Sequence, residues 1–301
     1  MSKKQFLISI IAIVVISVGS SVLMIVLEWN DSISSSILWG LIILLIGYTY
    51  LRYRISAPLQ RFSSKFNMLV DYDLDIELAK NMAFQGMQEA PFNNIKQYYQ
   101  MYYSMALYYS GEYSEAIKYF HLLDLKKLNP IYQVLIFSIT AYCAYEIDDQ
   151  EEFDQSLDRV KALETHITGR YHGYAASYVD ILDSIKNIDT DPETYRVMVE
   201  KHFGKQDGYI TTQLNYKYRM AIYYQKVGNI EEMDKCLAFV IANGKQHHTA
   251  LRAKEMFKGT VKVEDYIVKD EAPETEEDSG PDNENAALPE DSGDNDTGNG
   301  E

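Results

Sequence analysis

Six histidines, two cysteines and a few adjacent carboxylates are the side chains best equipped for chemistry in this chain. His247 and His248 stand side by side, and paired imidazoles suggest metal binding or acid–base work. Neighbouring residues on a helix point about 100° apart, whereas helical metal sites place two histidines at i and i+4 on one face. The pair therefore reads as a solvated turn. His166, His172 and His202 are scattered, without carboxylates at ligand spacing. Glu151-Glu152 and Glu231-Glu232 open helices, where negative charge complements the helix dipole. General acid–base work needs a carboxyl in a buried cleft, and no such cleft is visible in the sequence. Cys143 and Cys236 lie far apart in apolar helical stretches without a CxxC partner. They read as small buried hydrophobes of a reducing compartment.

The sequence contains no HExxH, G-x-S-x-G, GxxxxGK[ST] or GxGxxG motif, the usual carriers of metal, nucleophile and phosphate chemistry. The expectation is a protein that is not an enzyme and holds no metal or cofactor. What remains is recognition. Tyrosine occurs 25 times in 301 residues, and Tyr98, Tyr99, Tyr102, Tyr103, Tyr108 and Tyr109 fall in a single helical stretch. A helix with tyrosine on nearly every face cannot bury all of them. Tyr99 and Tyr103 are assigned to packing between neighbouring units. Others suit a binding surface, because tyrosine gives a large contact area and keeps a hydroxyl for hydrogen bonding.

The elements that must position these residues begin with two apolar runs. Residues 6–27 carry no charge for about twenty-two positions, and about twenty suffice for a helix to cross the hydrocarbon core. Residues 33–51 form a second span, with Trp39 in its first half and Tyr48 and Tyr50 near its end, rings that favour the interface. The connecting turn, 28–32, has no lysine or arginine. Lys3 and Lys4 precede the first span, and Arg52, Arg54, Arg61 and Lys65 follow the second. Excess positive charge marks the cytoplasmic side, so both termini are expected in the cytoplasm of a multi-pass plasma-membrane protein. A cleaved signal peptide is the rival reading. The first run exceeds the usual h-region of about 7–15 residues, and no A-x-A-like site follows it. Gly40 and Gly47, with Ser17 and Ser21, place small residues on helix faces, for hairpin self-packing or for a homo-oligomer. The sequons at Asn30 and Asn295 are discounted, one hugging the membrane and the other in a cytosolic tail.

Residues 1–55 thus form a transmembrane hairpin. In 56–70, Pro58 belongs in the first turn of a new helix with Ser56 as its cap. Leu59, Phe62, Phe66 and Leu69 share one face of it. That face lies on lipid headgroups, with Arg61 and Lys65 towards anionic lipid, or packs on the soluble domain; the sequence leaves both open. At the other end, 259–301 is an acidic tail expected to be disordered. From Asp270 onward it holds thirteen acidic residues and no basic one, while the formal charge of the whole chain is -16. Only -3 is left for residues 1–269, which argues against nucleic-acid binding. The tail serves as a solubilising brush, a competitor for a basic groove or a docking segment.

Between 71 and 258 a helix-turn-helix unit recurs. In its clearest copy, residues 98–130, Ser104 is the small residue of the first helix, Gly111 the turn, Tyr113 the aromatic and Ala116 the close-packing position, followed by Phe120 and Pro130. This copy resembles a tetratricopeptide repeat. A second copy, 215–243, carries Met220, Ala221, Tyr224, Gly228, Ile230, Leu237 and Val240, but has Lys217 and Met233 where a large apolar residue and an alanine are usual. Residues 137–163 and 171–203 are poorer copies. In the first of them Asp148-Asp149 replaces the turn glycine, and in the second Asp191-Pro192 opens the next helix. Residues 71–83 resemble an orphan second helix, and 248–257 a terminal capping helix. The fold expected is all-α: a transmembrane hairpin, an α-solenoid of stacked hairpins and an acidic tail. An irregular helical bundle is the plain alternative.

The resemblance implies a groove lined by first-helix side chains: Tyr98, Met101, Met105 and Tyr109 in one unit, and Tyr218, Ile222, Gln225 and Lys226 in the last. Met101 and Met105 stand where chaperone-tail binders carry their clamp residues, so the implied ligand is an apolar or aromatic peptide segment. The function expected is a membrane-anchored adaptor that holds a protein or peptide partner. The alternative is an accessory or regulatory subunit of an envelope complex, engaged through the hairpin.

Overall fold

Apolar side chains dominate α1 (Lys3–Val26) and the first half of α2 (Ile33–Met68). Both helices are long and apolar enough to cross a membrane. Most of that apolar surface faces outward: Leu23 is 55% exposed and Leu45 63%. A water-soluble protein rarely leaves such continuous apolar area uncovered. The computed structural model describes residues 3–27, 33–205 and 209–268, and among them every regular element is helical.

The two spans pack against each other through their small residues. Ser17 Oγ donates to the Gly40 carbonyl at 2.6 Å. A Cβ on Gly40 would lie 2.0 Å from Ser21 Oγ, and one on Gly47 would lie 2.6 Å from Ile13 Cγ2. The hairpin thus consumes both glycines internally. Gly40→Leu should force the helices apart, at a cost on the order of 1–2 kcal/mol by analogy with hydrogen-bonded membrane helix pairs. Cysteines introduced at Ile13 and Gly47 should oxidise to one another in membranes and fail to do so beside Gly40→Leu. Equal disulfide yield in both backgrounds would refute the packing described. The turn 28–32 lies outside the described residues.

α2 does not stop at the end of its apolar half. A new helix starting at Pro58 is expected from the sequence, but α2 runs unbroken through Pro58 to Met68. Proline removes one hydrogen bond to the fourth preceding carbonyl, here that of Arg54. Burial further along offsets this loss. Phe62 packs edge-on against Tyr99 and Tyr102, Phe66 is 1% exposed against Tyr102, and Ser63 shares a hydrogen bond with the Tyr102 hydroxyl. The apolar face of 56–70 is therefore core. A π-helical turn at Leu69–Asp73 and a left-handed Leu74 (φ 53°) then redirect the chain.

Ten α-helices follow among the described residues: α3 (Ile76–Glu89), α4 (Asn93–Tyr109), α5 (Tyr113–His121), α6 (Pro130–Glu146), α7 (Gln150–Glu164), α8 (His172–Lys186), α9 (Pro192–Phe203), α10 (Ile210–Lys226), α11 (Ile230–Asn243) and α12 (His248–Met256). Each packs on the next, and α4, α6 and α8 also touch their alternate neighbours. The chain supplies the starts and stops. Asp75, Asn129, Asp149, Asp191 and Asn229 cap α3, α6, α7, α9 and α11 with their side chains, the usual remedy for unsatisfied first-turn N–H groups. Three turns between paired helices use a left-handed residue: Gly111 (φ 83°), Asp148 (φ 58°) and Gly228 (φ 76°). Ser104 and Ala116, fully buried, let α4 and α5 approach closely.

A Cβ at Gly228 would meet nothing within 4 Å, so Gly228→Ala isolates backbone strain and should cost about 1–2 kcal/mol. Asp148 already bears that strain, and Asp148→Gly should be neutral or stabilising by up to ~1 kcal/mol. Thermal melts of both variants test this, and a stabilising Gly228→Ala would contradict the turn assignment.

The folded region extends past the expected boundary at 259. Asp234, fully buried, accepts from the Lys258 and Thr260 amides at 2.9 and 2.8 Å. The Asn243 amide donates to the Tyr266 carbonyl, and its oxygen accepts from Val268 N–H. The helical turn Val263–Tyr266 is thereby fixed on α11. Asp234 reads locally as a surface helix residue, which hid this strap. Residues 269–301, and with them the expected acidic tail, lie outside the described residues.

Candidate partner-binding site

Mapping a groove onto the first helices presumes an open concave wall. Here that wall closes. α10 packs on the π-helical turn, where Thr211 bonds Asp71 across 140 positions and Tyr209 meets Tyr72 edge-on. His248 of α12 lies against Tyr108 and Tyr113, joining the last helix to the α4–α5 unit. As a result Met101 (1% exposed), Met105, Tyr218 and Ile222 are core residues rather than groove-lining ones. Tyr98 is half-buried against Tyr132, and Tyr109 half-buried against His247. Gln225 and Lys226 are exposed, and Lys226 pairs with Asp189. Tyr99 and Tyr103 serve packing, against Phe62 and against Phe84 and Tyr119.

The centre of this closure is polar. Arg219 is 9% exposed, its guanidinium held over the Tyr142 ring at 4.6 Å and the Phe203 ring at 4.8 Å. Burial disfavours its charge, and the neighbouring Tyr142, Tyr195 and Tyr108 act in the opposite direction. Beside it, buried Glu146 at the end of α6 accepts from Arg252 Nε at 2.9 Å and from the Tyr218 hydroxyl at 3.1 Å. Burial pushes the Glu146 carboxyl up, against the pull of Arg252 and Tyr218. Arg219, Glu146 and His248 line a cavity of about 20 Å³, room for about one water. This ties α6, α10 and α12 together; it has no space for a side chain of a partner.

His247 and His248 correct the reading of a solvated turn. Both are buried, and His247 caps α12 by accepting from Thr249 N–H. Burial pushes the His247 imidazole down to about 3. His248 is driven well below its ordinary value by burial, with His247, Arg219 and Arg252 adding to the effect. The local sequence is polar enough to look like a loop, and only the return of α12 onto α4 encloses it.

What a partner can reach is the edge where these helices end. α4 starts beside the hairpin, where Phe92 meets Phe6 edge-on at 5.3 Å. Seventeen residues at 1.5 Å each carry it about 25 Å away, to Gly111, which approaches Leu251. Along that far edge Glu146 joins α12 through Arg252, and Lys226 joins the α8–α9 turn through Asp189. Ile147, Val227, Ile230 and Leu251 stand 38–46% exposed there, beside Gln225 and Lys226. Apolar side chains rimmed by charge are the usual composition of an interaction surface. Among the described residues no group of three or more histidines, cysteines or carboxylates is arranged to hold a metal. Cys143 and Cys236 are free and buried, and burial pushes the Cys236 thiol up to about 11.

No protein-family model matches this chain, and no curated protein or solved structure does either.

Proposed function

We propose that this chain is a membrane-anchored interaction adaptor, in which the hairpin fixes a tetratricopeptide-like array at the cytoplasmic face of the plasma membrane and the array holds a protein or peptide partner. The observation that carries the reading is the continuity of α2, one helix that starts within a span and ends in the core of the array. Flexible tethers leave a domain free to tumble; a continuous helix fixes both its height and its rotation about the span. Such a connection suits a protein whose task is position. The repeat character is supported by the small residues Ser104 and Ala116, the left-handed turns and the paired helices. The partner surface in this proposal is the far edge, around Gln225, Lys226, Val227 and Leu251.

Photoreactive residues at Val227 and Leu251, and at Ile11 and Leu45 in the hairpin, test this by crosslinking in membranes followed by mass spectrometry. The proposal expects capture of a protein at the edge positions, retained when the hairpin is replaced by an unrelated two-span anchor. Capture at the hairpin positions alone, lost on that swap, would instead favour an accessory or regulatory subunit of an envelope complex.

A further inference from the structure

Where α2 leaves the span, it borders a crevice of about 170 Å³ against the α3–α4 connection. Arg54, Ile55, Pro58 and Leu59 form one wall, and Glu89, Phe92 and Tyr99 are among the residues of the other. The volume is several times the ~30 Å³ share of a liquid water, so a group of headgroup size fits. Its level is set by the hairpin, because Phe92 touches Phe6 near the start of α1. The exposed Tyr48, Tyr50 and Tyr53 of α2 lie just before it, and such rings mark the membrane interface.

Its charges are arranged unusually. Arg54 and Glu89 line the same crevice, yet no ion pair within 4 Å joins them, and neither has another ionic partner among the described residues. Gln85 donates one hydrogen bond to Glu89, leaving most of that carboxylate's acceptor capacity open. A cation and a carboxylate separated by a gap, with apolar side chains between them, match a headgroup carrying both signs of charge.

The geometry points to a binding site for a glycerophospholipid with a primary-ammonium zwitterionic headgroup, phosphatidylethanolamine by class. Its phosphate pairs with Arg54, its ammonium donates to Glu89, and its glycerol end lies along Ile55, Leu59 and Phe92. A quaternary ammonium lacks the N–H donors for the acceptor side, and an anionic glycerol headgroup would meet Glu89 with no counter-charge. The inference rests on the membrane-anchored reading above.

The test is native mass spectrometry of the full chain, delipidated in detergent and titrated with phosphatidylethanolamine, phosphatidylcholine or phosphatidylglycerol. Phosphatidylethanolamine should be retained about tenfold better than phosphatidylcholine, the worth of a charge-assisted hydrogen bond. Arg54→Gln and Glu89→Gln should each erase most of that preference, while Arg61→Gln, outside the crevice, leaves it unchanged. Leu59→Trp fills the crevice without touching either charge and should also abolish retention; unchanged circular dichroism certifies the fold of every variant. Equal retention of phosphatidylethanolamine and phosphatidylcholine, a preference for phosphatidylglycerol, or indifference to Glu89→Gln would each overturn the site. Release of the chain from membranes by alkaline carbonate would instead overturn the anchoring itself, so the two failures are distinguishable.

Discussion

Arg219→Ala should destabilise the detergent-solubilised chain by about 3–5 kcal/mol, the range for stripping one member from a buried polar cluster and leaving a cavity. The guanidinium fills the space between the Tyr142 and Phe203 rings in a buried, tyrosine-rich setting, so its loss opens a void there. At about 2–4 °C per kcal/mol for an array of this size, the melting temperature should fall by roughly 10 °C or more. Arg219→Met is the informative contrast. It restores much of the volume and removes a charge whose desolvation is costly, so it should recover a large part of the loss. Far-UV circular dichroism melts distinguish the two, and an alanine variant within ~1 kcal/mol of the parent would show that the centre does not hold the array closed.

The second large effect is acid sensitivity. In the unfolded chain a histidine titrates near 6.5, but His247 in the fold stays neutral down to about 3, and His248 is displaced in the same direction. Below pH ~6.5 the unfolded state binds protons that the native state refuses, so stability falls with falling pH by up to about 1.4 kcal/mol per unit for each histidine. At pH 5 that amounts to about 2 kcal/mol for His247. Asp71 and Glu146 act in the opposite sense. Burial raises their carboxyls, so the folded state takes up their protons before the unfolded one does. The groups around the pair are Tyr108, Tyr109 and Tyr113 with Arg219 and Arg252; Glu146 shares a cavity with His248, but its carboxylate is already engaged by Arg252 and Tyr218. Denaturant midpoints should therefore drop steadily between pH 7 and pH 5, and His247→Asn should flatten that slope by about half. A midpoint constant across the interval would mean that the pair is not enclosed.

The first effect sits on a residue that the sequence did not single out and the second on a pair that it read as solvated, for a shared reason. Local periodicity carried the helices well: both apolar spans, the paired helices of each unit and the capping helix from His248 are legible because their spacing and caps are contained within a few turns. The turn at Asp148 was visible as a substitute for glycine. Contacts across 70 to 140 positions have no such signature. Glu146 reads as an exposed helix end until Arg252 and Tyr218 arrive, and Arg219 as a surface cation until tyrosines from α6 and α9 surround it. The groove assignment failed at Met101, Met105, Tyr218 and Ile222 on the same account, because register within a repeat says nothing about how far the array curls. Pro58 misled in the other direction, since a local helix-start signal was outweighed by the burial of Phe66.

Closure also bears on function. On the adaptor reading proposed above, an array whose inner face is filled by its own side chains would present its edges and outer helices to a partner, with α2 setting their distance from the apolar hairpin. Lengthening α2 by one residue before Pro58 would rotate the array by about 100° about the span, and partner crosslinks at Val227 should change with it.

The most direct measurement is thiol labelling of intact cells with a membrane-impermeant maleimide. Cys143 and Cys236 are buried and weakly acidic, so background is low. Asp31→Cys, in the turn between the spans, should label from outside. Leu122→Cys, 71% exposed on the array, should label only after the membrane is permeabilised. Labelling of Leu122→Cys on intact cells, with Asp31→Cys protected, would contradict the account at its root.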